Sequence, residues 1–261
     1  MEVYAAMVDY MDTSIGRLFD YLKQNDMYEN TIILFLSDNG ANGAHATAYP
    51  GNADGKYLSS FNNTLENRGL PNSFVDMGPN WARAASVPFR FFKSFTSEGG
   101  IRSPLIVKSP GDMPLAGQWN HAFIHVTDIM PTLNEFAGTT YPQTVGGKPL
   151  KQPIGMSIMP ILRGDAIDVR EANGMGYELF EMKAYIQGVW KILRLPEPFG
   201  TGDWELYNLK EDPREMQDLS IRFPKKKAEL VDLWSKYSKN NDVYDHNGRF
   251  DALYRKIYSR E

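Results

Sequence analysis

The sharpest local chemical signal in the chain is Asp38-Asn39-Gly40. A carboxylate and an amide oxygen stand side by side there, directly after the apolar run Thr31–Ser37. Oxygen donors on a rigid strand end suit a hard cation such as Ca2+ or Mg2+. Two donors do not complete a shell, because Ca2+ takes about 6–8 oxygens; the remaining ligands are expected from elsewhere. The same three residues also suit a plain turn, where Gly relieves a Cβ clash. Lys93 is the second candidate. It lies in Phe91-Phe92-Lys93-Ser94-Phe95, ahead of Thr96-Ser97-Glu98-Gly99-Gly100. A lysine flanked by aromatics at a loop end presents a point charge to an anion, or it is a solvated, snorkelling side chain. Trp81 and Phe91 are candidates for the wall of a binding pocket, with loop packing as the other use of those rings. The histidines His45, His121, His125 and His246 show no zinc-pair spacing on a helix. A structural or supporting role is expected of them.

These residues need elements to hold them. Tyr4, Val8, Met11, Ile15, Leu18 and Leu22 fall on one face of a helix. That helix opens without an N-cap, as if inside a larger fold. Thr31–Ser37 predicts a strand buried on both faces, hence parallel and central, with ligands beyond its C-terminal end. Residues 40–98 read as a long functional loop. Pro104–Lys108 predicts a second buried strand, and Thr127-Asp128 opens a helix running to Phe136. Residues 139–155 read as a linker, followed by a short helix around Ile158–Leu162. Beyond residue 170 the runs Met175–Phe180, Ala184–Gln187, Trp190–Leu195 and Trp204–Leu209 predict an antiparallel sheet. An amphipathic helix follows over Phe223–Tyr237, with Leu230, Leu233, Trp234 and Tyr237 inward. The expected domains are therefore 1–170 and 171–261.

Composition narrows the partners. The chain has 261 residues, a net charge of −4 and no cysteine. Disulfides, thiolate metal sites and a cysteine nucleophile are thereby excluded within these residues. No global basic field draws the chain to nucleic acid; Lys225-Lys226-Lys227 reads as the wet start of the last helix. No apolar run reaches the ~18 residues of a membrane span. Asn62-Asn63-Thr64 fits the N-glycosylation triplet, a string that recurs by chance.

Taken together, four stretches resemble the sulfatase family, and the bacterial arylsulfatases in particular. They are Tyr4–Val8 with Met11-Asp12 and Ile15-Gly16-Arg17; Leu34-Phe35-Leu36-Ser37-Asp38-Asn39-Gly40; Asn63–Asn67 through Trp81-Ala82 to Lys93–Arg102; and Trp204–Leu209 with Glu211-Asp212-Pro213. They stand in family order and span nearly the whole chain. The resemblance implies an α/β fold, part of an alkaline-phosphatase-like sandwich, with a small antiparallel sheet and helix as the C-terminal subdomain. It implies that Asp38 and Asn39 bind the divalent cation, usually Ca2+, and that Lys93 contacts the sulfate of a sulfate ester substrate. The family's nucleophile is a formylglycine made from Cys or Ser in Cys/Ser-x-Pro-x-Arg. Ser103-Pro104 and Ser109-Pro110 have the wrong spacing for it, so the nucleophile is expected in an N-terminal half beyond this sequence. The chain alone is then expected to be inactive and to self-associate through the sheet left open. A zinc phosphatase or phosphonate hydrolase of the same superfamily is the rival reading; Asn39, where those enzymes tend to carry His, favours calcium and sulfate. A noncatalytic binding module derived from a sulfatase is the other.

Overall fold

A computed structural model describes residues 1–45, 55–111 and 113–244. His246 lies outside the described residues. Helix α1 spans Glu2–Gln24, strand β1 Ile33–Leu36, helix α2 Lys56–Ser59, helix α3 Gly78–Ser86, helix α4 Glu98–Ile101 and strand β2 Leu105–Lys108. Then come α5 over Ile129–Phe136, the short hairpin β3 (Thr144–Val145) and β4 (Lys148–Pro149), and α6 over Met159–Leu162. Strands β5 (Met175–Leu179), β6 (Met182–Gln187), β7 (Trp190–Arg194) and β8 (Glu205–Asn208) precede α7, Pro224–Asn240.

The centre of packing is the four-stranded antiparallel sheet, in the order β5-β6-β7-β8. Its side chains alternate between two covered faces, as the two-residue period requires. Met182, Ala184, Leu193, Leu195 and Tyr207 meet Ala82, Phe92 and Phe95 on one face. Tyr185, Ile192 and Leu206 meet Leu230 and Trp234 of α7 on the other. Gly176 on β5 lets α7 approach closely, since a Cβ there would lie 2.4 Å from the Tyr237 ring. The β5–β6 hairpin turns on Phe180 and Glu181, both at positive φ, as a two-residue turn of that twist demands. The sheet thus shares a core with residues 82–95, from the other side of residue 170.

The amino-terminal elements differ from expectation in the pairing and burial of β1 and in the content of residues 40–98. Strand β1 pairs with β2, and the pairing is antiparallel, from Ile33 opposite Lys108 to Leu36 opposite Leu105. Neither strand is buried on both faces: Ile106 is 62% exposed. A continuous apolar run reports hydrophobicity without naming the partner or its direction. The helix α1 forms over 23 residues, but none of them is buried. Its apolar face leaves Tyr4, Val8, Met11 and Leu18 exposed, with Ile15 and Leu22 half-buried. Amphipathic spacing specifies a stripe, and the stripe here has no cover among the described residues. Lastly, the region 40–98 is not all loop. It contains α3, which opens on Gly78-Pro79 and turns Ala82 and Ser86 into the core, so Trp81 belongs to a helix.

Candidate functional site

The loop leaving β1 is fastened by short bonds. Ser103 Oγ donates to the Ser37 carbonyl at 2.5 Å, and Ser37 Oγ donates to the Asn39 carbonyl at 2.8 Å. Asn39 Nδ2 donates to the Gly40 carbonyl at 3.1 Å. Among the described residues no ion pair and no side-chain hydrogen bond engages the Asp38 carboxylate, which is exposed. Gly40 N–H donates to the Gly100 carbonyl at 2.9 Å. The Gly is required here by close approach: a Cβ at Gly40 would stand 1.9 Å from the Gly99 oxygen.

A second loop, residues 90–99, carries Lys93. Its base is closed on one carbonyl, that of Arg90, which accepts from Ser97 Oγ at 2.8 Å and from Gly99 N–H at 2.9 Å. The Arg90 guanidinium in turn grips Glu205 (3.2 Å), the Tyr207 hydroxyl (3.2 Å) and the Phe199 carbonyl (3.1 Å). Tyr207 donates to Glu205 at 2.8 Å; burial first, and then that bond to Glu205, push the phenol above its usual range. Phe91 and Ser94, on either side of Lys93, both adopt left-handed backbone, at φ of 61° and 77°. Non-glycine residues in that region are costly and gather where a segment is held for a purpose. The loop's tip returns to the first loop: Lys93 N–H donates to the Ala41 carbonyl at 2.9 Å. Lys93 therefore sits, by its backbone, beside a residue two positions past Asn39.

The other nominated residues separate. Trp81 is 53% exposed and lines an open cleft of about 1260 Å3, together with Asn39, Asn63, Arg68, Phe89 and Arg102. Phe91 stacks on Phe95 with ring centroids 4.2 Å apart, and its edge meets Phe199 at 6.1 Å. That ring is held by core packing and does not line the cleft. Arg68 and Arg102 were passed over in the sequence; their signal is that both fall in the family-like stretches next to Trp81. His125 caps the turn before α5, its Nδ1 accepting from Thr127 N–H at 3.3 Å.

One string needs correction. Ser86-Val87-Pro88-Phe89-Arg90 does fit Ser-x-Pro-x-Arg, so the spacing is present inside the chain. Its setting does not suit a nucleophile. Ser86 is the last residue of α3, and its hydroxyl is buried without a hydrogen-bond partner. Arg90 is engaged by the sheet.

The donor set fits part of a hard-cation shell. Asp38 offers a carboxylate, and Asn39 keeps its carbonyl oxygen while its amide nitrogen is bonded to the backbone. No group of three or more His, Cys, Asp or Glu stands ready for a metal among the described residues, so a shell of about 6–8 oxygens needs donors beyond this pair. No described helix is long and apolar enough to cross a membrane.

Comparison with known proteins agrees with this architecture. The family model described as Sulfatase matches residues 1–139, and that of the N-sulphoglucosamine sulphohydrolase C-terminal region matches 89–240. An uncharacterized sulfatase of Schizosaccharomyces pombe is 37% identical over 247 residues, covering 93% of this chain and 44% of the relative. An arylsulfatase of Klebsiella aerogenes is 36% identical over 162 residues, covering 62% of this chain and 34% of its own length. A protein solved in complex with its substrate D-glucosamine-2-N,6-O-disulfate superposes with a TM-score of 0.60 at 23% identity, over 94% of this chain and 42% of that one. That likeness concerns the fold, a partial alkaline-phosphatase-like α/β sandwich. The chain spans less than half the length of these relatives. With the family model covering more than half of the chain and both loops built as described, this chain belongs to the sulfatase family.

Proposed function

We propose that this chain carries the C-terminal part of an arylsulfatase active site. Asp38 and Asn39 give oxygen ligands to Ca2+, with Mg2+ the second choice, and Lys93 meets the sulfate. The observation that supports this most is the bond from Lys93 N–H to the Ala41 carbonyl, 2.9 Å, which joins the lysine loop to the carboxylate loop. The exposed Trp81 ring in the adjoining cleft suits an aromatic leaving group. When bound, the cation polarises the sulfate as a Lewis acid, and the formylglycine that attacks sulfur is supplied from outside these residues. Lys93 neutralises charge on the nonbridging oxygens. One such preorganised charge contributes about 3–4 kcal/mol, against the ~8–23 kcal/mol by which enzymes lower barriers. A protein of these 261 residues alone is therefore inactive on aryl sulfates. The sheet-and-helix unit from β5 to α7 serves as the scaffold behind the lysine loop, and the α1 stripe, without cover among the described residues, drives self-association with the β1–β2 pair.

The test is a binding titration with the intact chain. Ca2+ binding is read by calorimetry, and 4-nitrophenyl sulfate binding by tryptophan fluorescence. Asp38→Ala loses both; Lys93→Ala keeps Ca2+ and loses the sulfate. Wild-type affinities in both variants would sink the assignment, and turnover proportional to protein would sink the inactivity. Sedimentation should show association that rises with concentration and falls in Met7→Lys/Leu18→Lys.

A further inference from the structure

Three buried charges lie behind the site, and nothing above uses them. Lys191 in β7 is fully buried, as are the side chains of Glu98 and Glu215 to within a few per cent. Lys191 Nζ stands 2.9 Å from Glu98 Oε1 and 2.7 Å from Glu215 Oε1. The other oxygen of Glu215 accepts from Glu98 N–H at 3.0 Å. Arg102 adds a fourth charge, 3.6 Å from Glu98 Oε2, so two cations balance two carboxylates. Burial alone would push the Lys191 ammonium down, but Glu215 and Glu98 outweigh it and hold it above the ordinary lysine value. Burying charge is costly unless each group is paired; here each carboxylate has a cation beside it, although Glu215 Oε1 meets Lys191 as an ion pair without hydrogen-bond geometry.

What this cluster grips is the start of the segment 98–100. The two glycines that follow Glu98 form a wedge between the two functional loops. On one side Gly40 donates to Gly100 O, and Gly99 O stands where a Gly40 Cβ would be. On the other side a Cβ at Gly99 would meet the Phe91 carbonyl at 2.2 Å, and one at Gly100 the Phe95 carbonyl at 2.0 Å. The Asp38-Asn39 loop and the Lys93 loop therefore both take their position from the same three residues.

We propose that Lys191, Glu98 and Glu215 are positioning residues: through them the four-stranded sheet sets the placement of Asp38-Asn39 relative to Lys93. The proposal deepens the site assignment and rests on it for its functional meaning, while its geometry is independent of any bound cation. Lys191 is the outside reference. It shares its strand face with Leu193 and Leu195, which pack on Phe92 and Phe95, so it reaches the wedge from the scaffold.

Amide hydrogen exchange on the intact chain tests it, because the Gly40 amide bonds the wedge at Gly100 O and the Lys93 amide bonds Ala41 O, next to Gly40. In Lys191→Met these two amides should exchange at least about tenfold faster, with Leu230 and Trp234 of α7 unchanged. Unchanged exchange at Gly40 and Lys93, or equal acceleration throughout, would overturn the proposal. Should Lys191→Met not fold, the pair Glu98→Ala and Glu98→Gln decides. The alanine releases both amides, whereas the glutamine still accepts from Lys191 and should restore protection to within about threefold of wild type. A glutamine variant that behaves like the alanine, or a silent alanine, would count against positioning. Ca2+ calorimetry on the wild type separates the two ideas: no binding with the selective exchange pattern intact removes the metal assignment and leaves the coupling standing.

Discussion

Gly40→Ala offers the most direct test of how the two loops are held. The added Cβ would lie 1.9 Å from Gly99 O, 2.9 Å from Gly99 C and 3.2 Å from Gly100 Cα. All three are backbone atoms, so no rotamer change relieves the contact. Real Cβ contacts essentially never fall below 3.0 Å, so the chains must part by about 1 Å. The 98–100 segment cannot retreat, because the carbonyls of Phe91 and Phe95 close its far side. Gly40 must move instead, and its 2.9 Å bond to Gly100 is lost. Losing that bond costs about 0.5–1.5 kcal/mol, and overpacking costs about 1–3 kcal/mol; together they predict destabilisation by about 2–4 kcal/mol. At about 2–4 °C per kcal/mol for a chain of this size, the melting temperature should drop by roughly 4–16 °C. The assay is thermal unfolding by circular dichroism, with the urea midpoint as a second measure. Gly16→Ala is the control: it lies inside α1 with no heavy atom within 4 Å of the new Cβ, and should stabilise by about 0.5–1 kcal/mol. If Gly40→Ala melts within about 1 °C of wild type, the loops are not interlocked as described.

Three further outcomes follow from buried or strained groups. Arg170→Met leaves the Asp128 carboxylate buried, still bonded by the N–H groups of His125 (2.8 Å) and Met156 (2.7 Å) but without its cation; the urea midpoint should report a loss of about 3–5 kcal/mol, with little dependence on salt. Burial, then the nearby Arg170, hold the His125 imidazole below its usual 6.5, with Asp128 opposing. The unfolded chain therefore binds a proton there that the folded chain resists, so stability should be full above pH 6.5 and fall as pH drops through it. His125→Asn should flatten that part of the urea-midpoint profile, and an unchanged slope would refute the assignment. Ser94→Gly removes a left-handed penalty of about 1–2 kcal/mol and adds about 0.5–1 kcal/mol of chain entropy; a net gain of roughly 0.5–1 kcal/mol is expected, and a lower melting temperature would contradict it.

Local pattern was enough for the carboxyl-terminal strands and α7, because strand pairing and the α7 contact close within a few dozen residues, although the other sheet face is covered by residues 82–95. Apolar residues of Trp190–Leu195 and Trp204–Leu209 fall on both faces of their strands, as a sheet covered on both sides requires, and Leu230 and Trp234 stand four apart on one face of α7. Pattern did not place the partners of α1 and β1, for the opposite reason. Their apolar residues predict a helix and a strand, which form, but burial is a property of a partner, and spacing carries no information about where that partner lies. Helix α3 was legible in principle: Pro79 at its first turn and Ala82, Ala84 and Ala85 behind it are helix signals, masked by the Gly- and Asn-rich flanks. Within the site, Asp38, Asn39 and Lys93 were nominated by residue type and by family likeness; the contact between their loops was not legible, because it runs through glycines whose only signal is the absence of a side chain. The buried charges were the least legible. Nothing in the sequence marks Lys191 or Glu98 for burial, since Lys and Glu are almost never fully buried unless paired. What turns both inward is coverage of a second sheet face by residues 82–98, and that follows from the tertiary fold alone. A charge in an alternating strand is thus diagnostic only once both faces of its sheet are known to be covered, and at that point a buried Lys bridging two Glu requires a reason of its own.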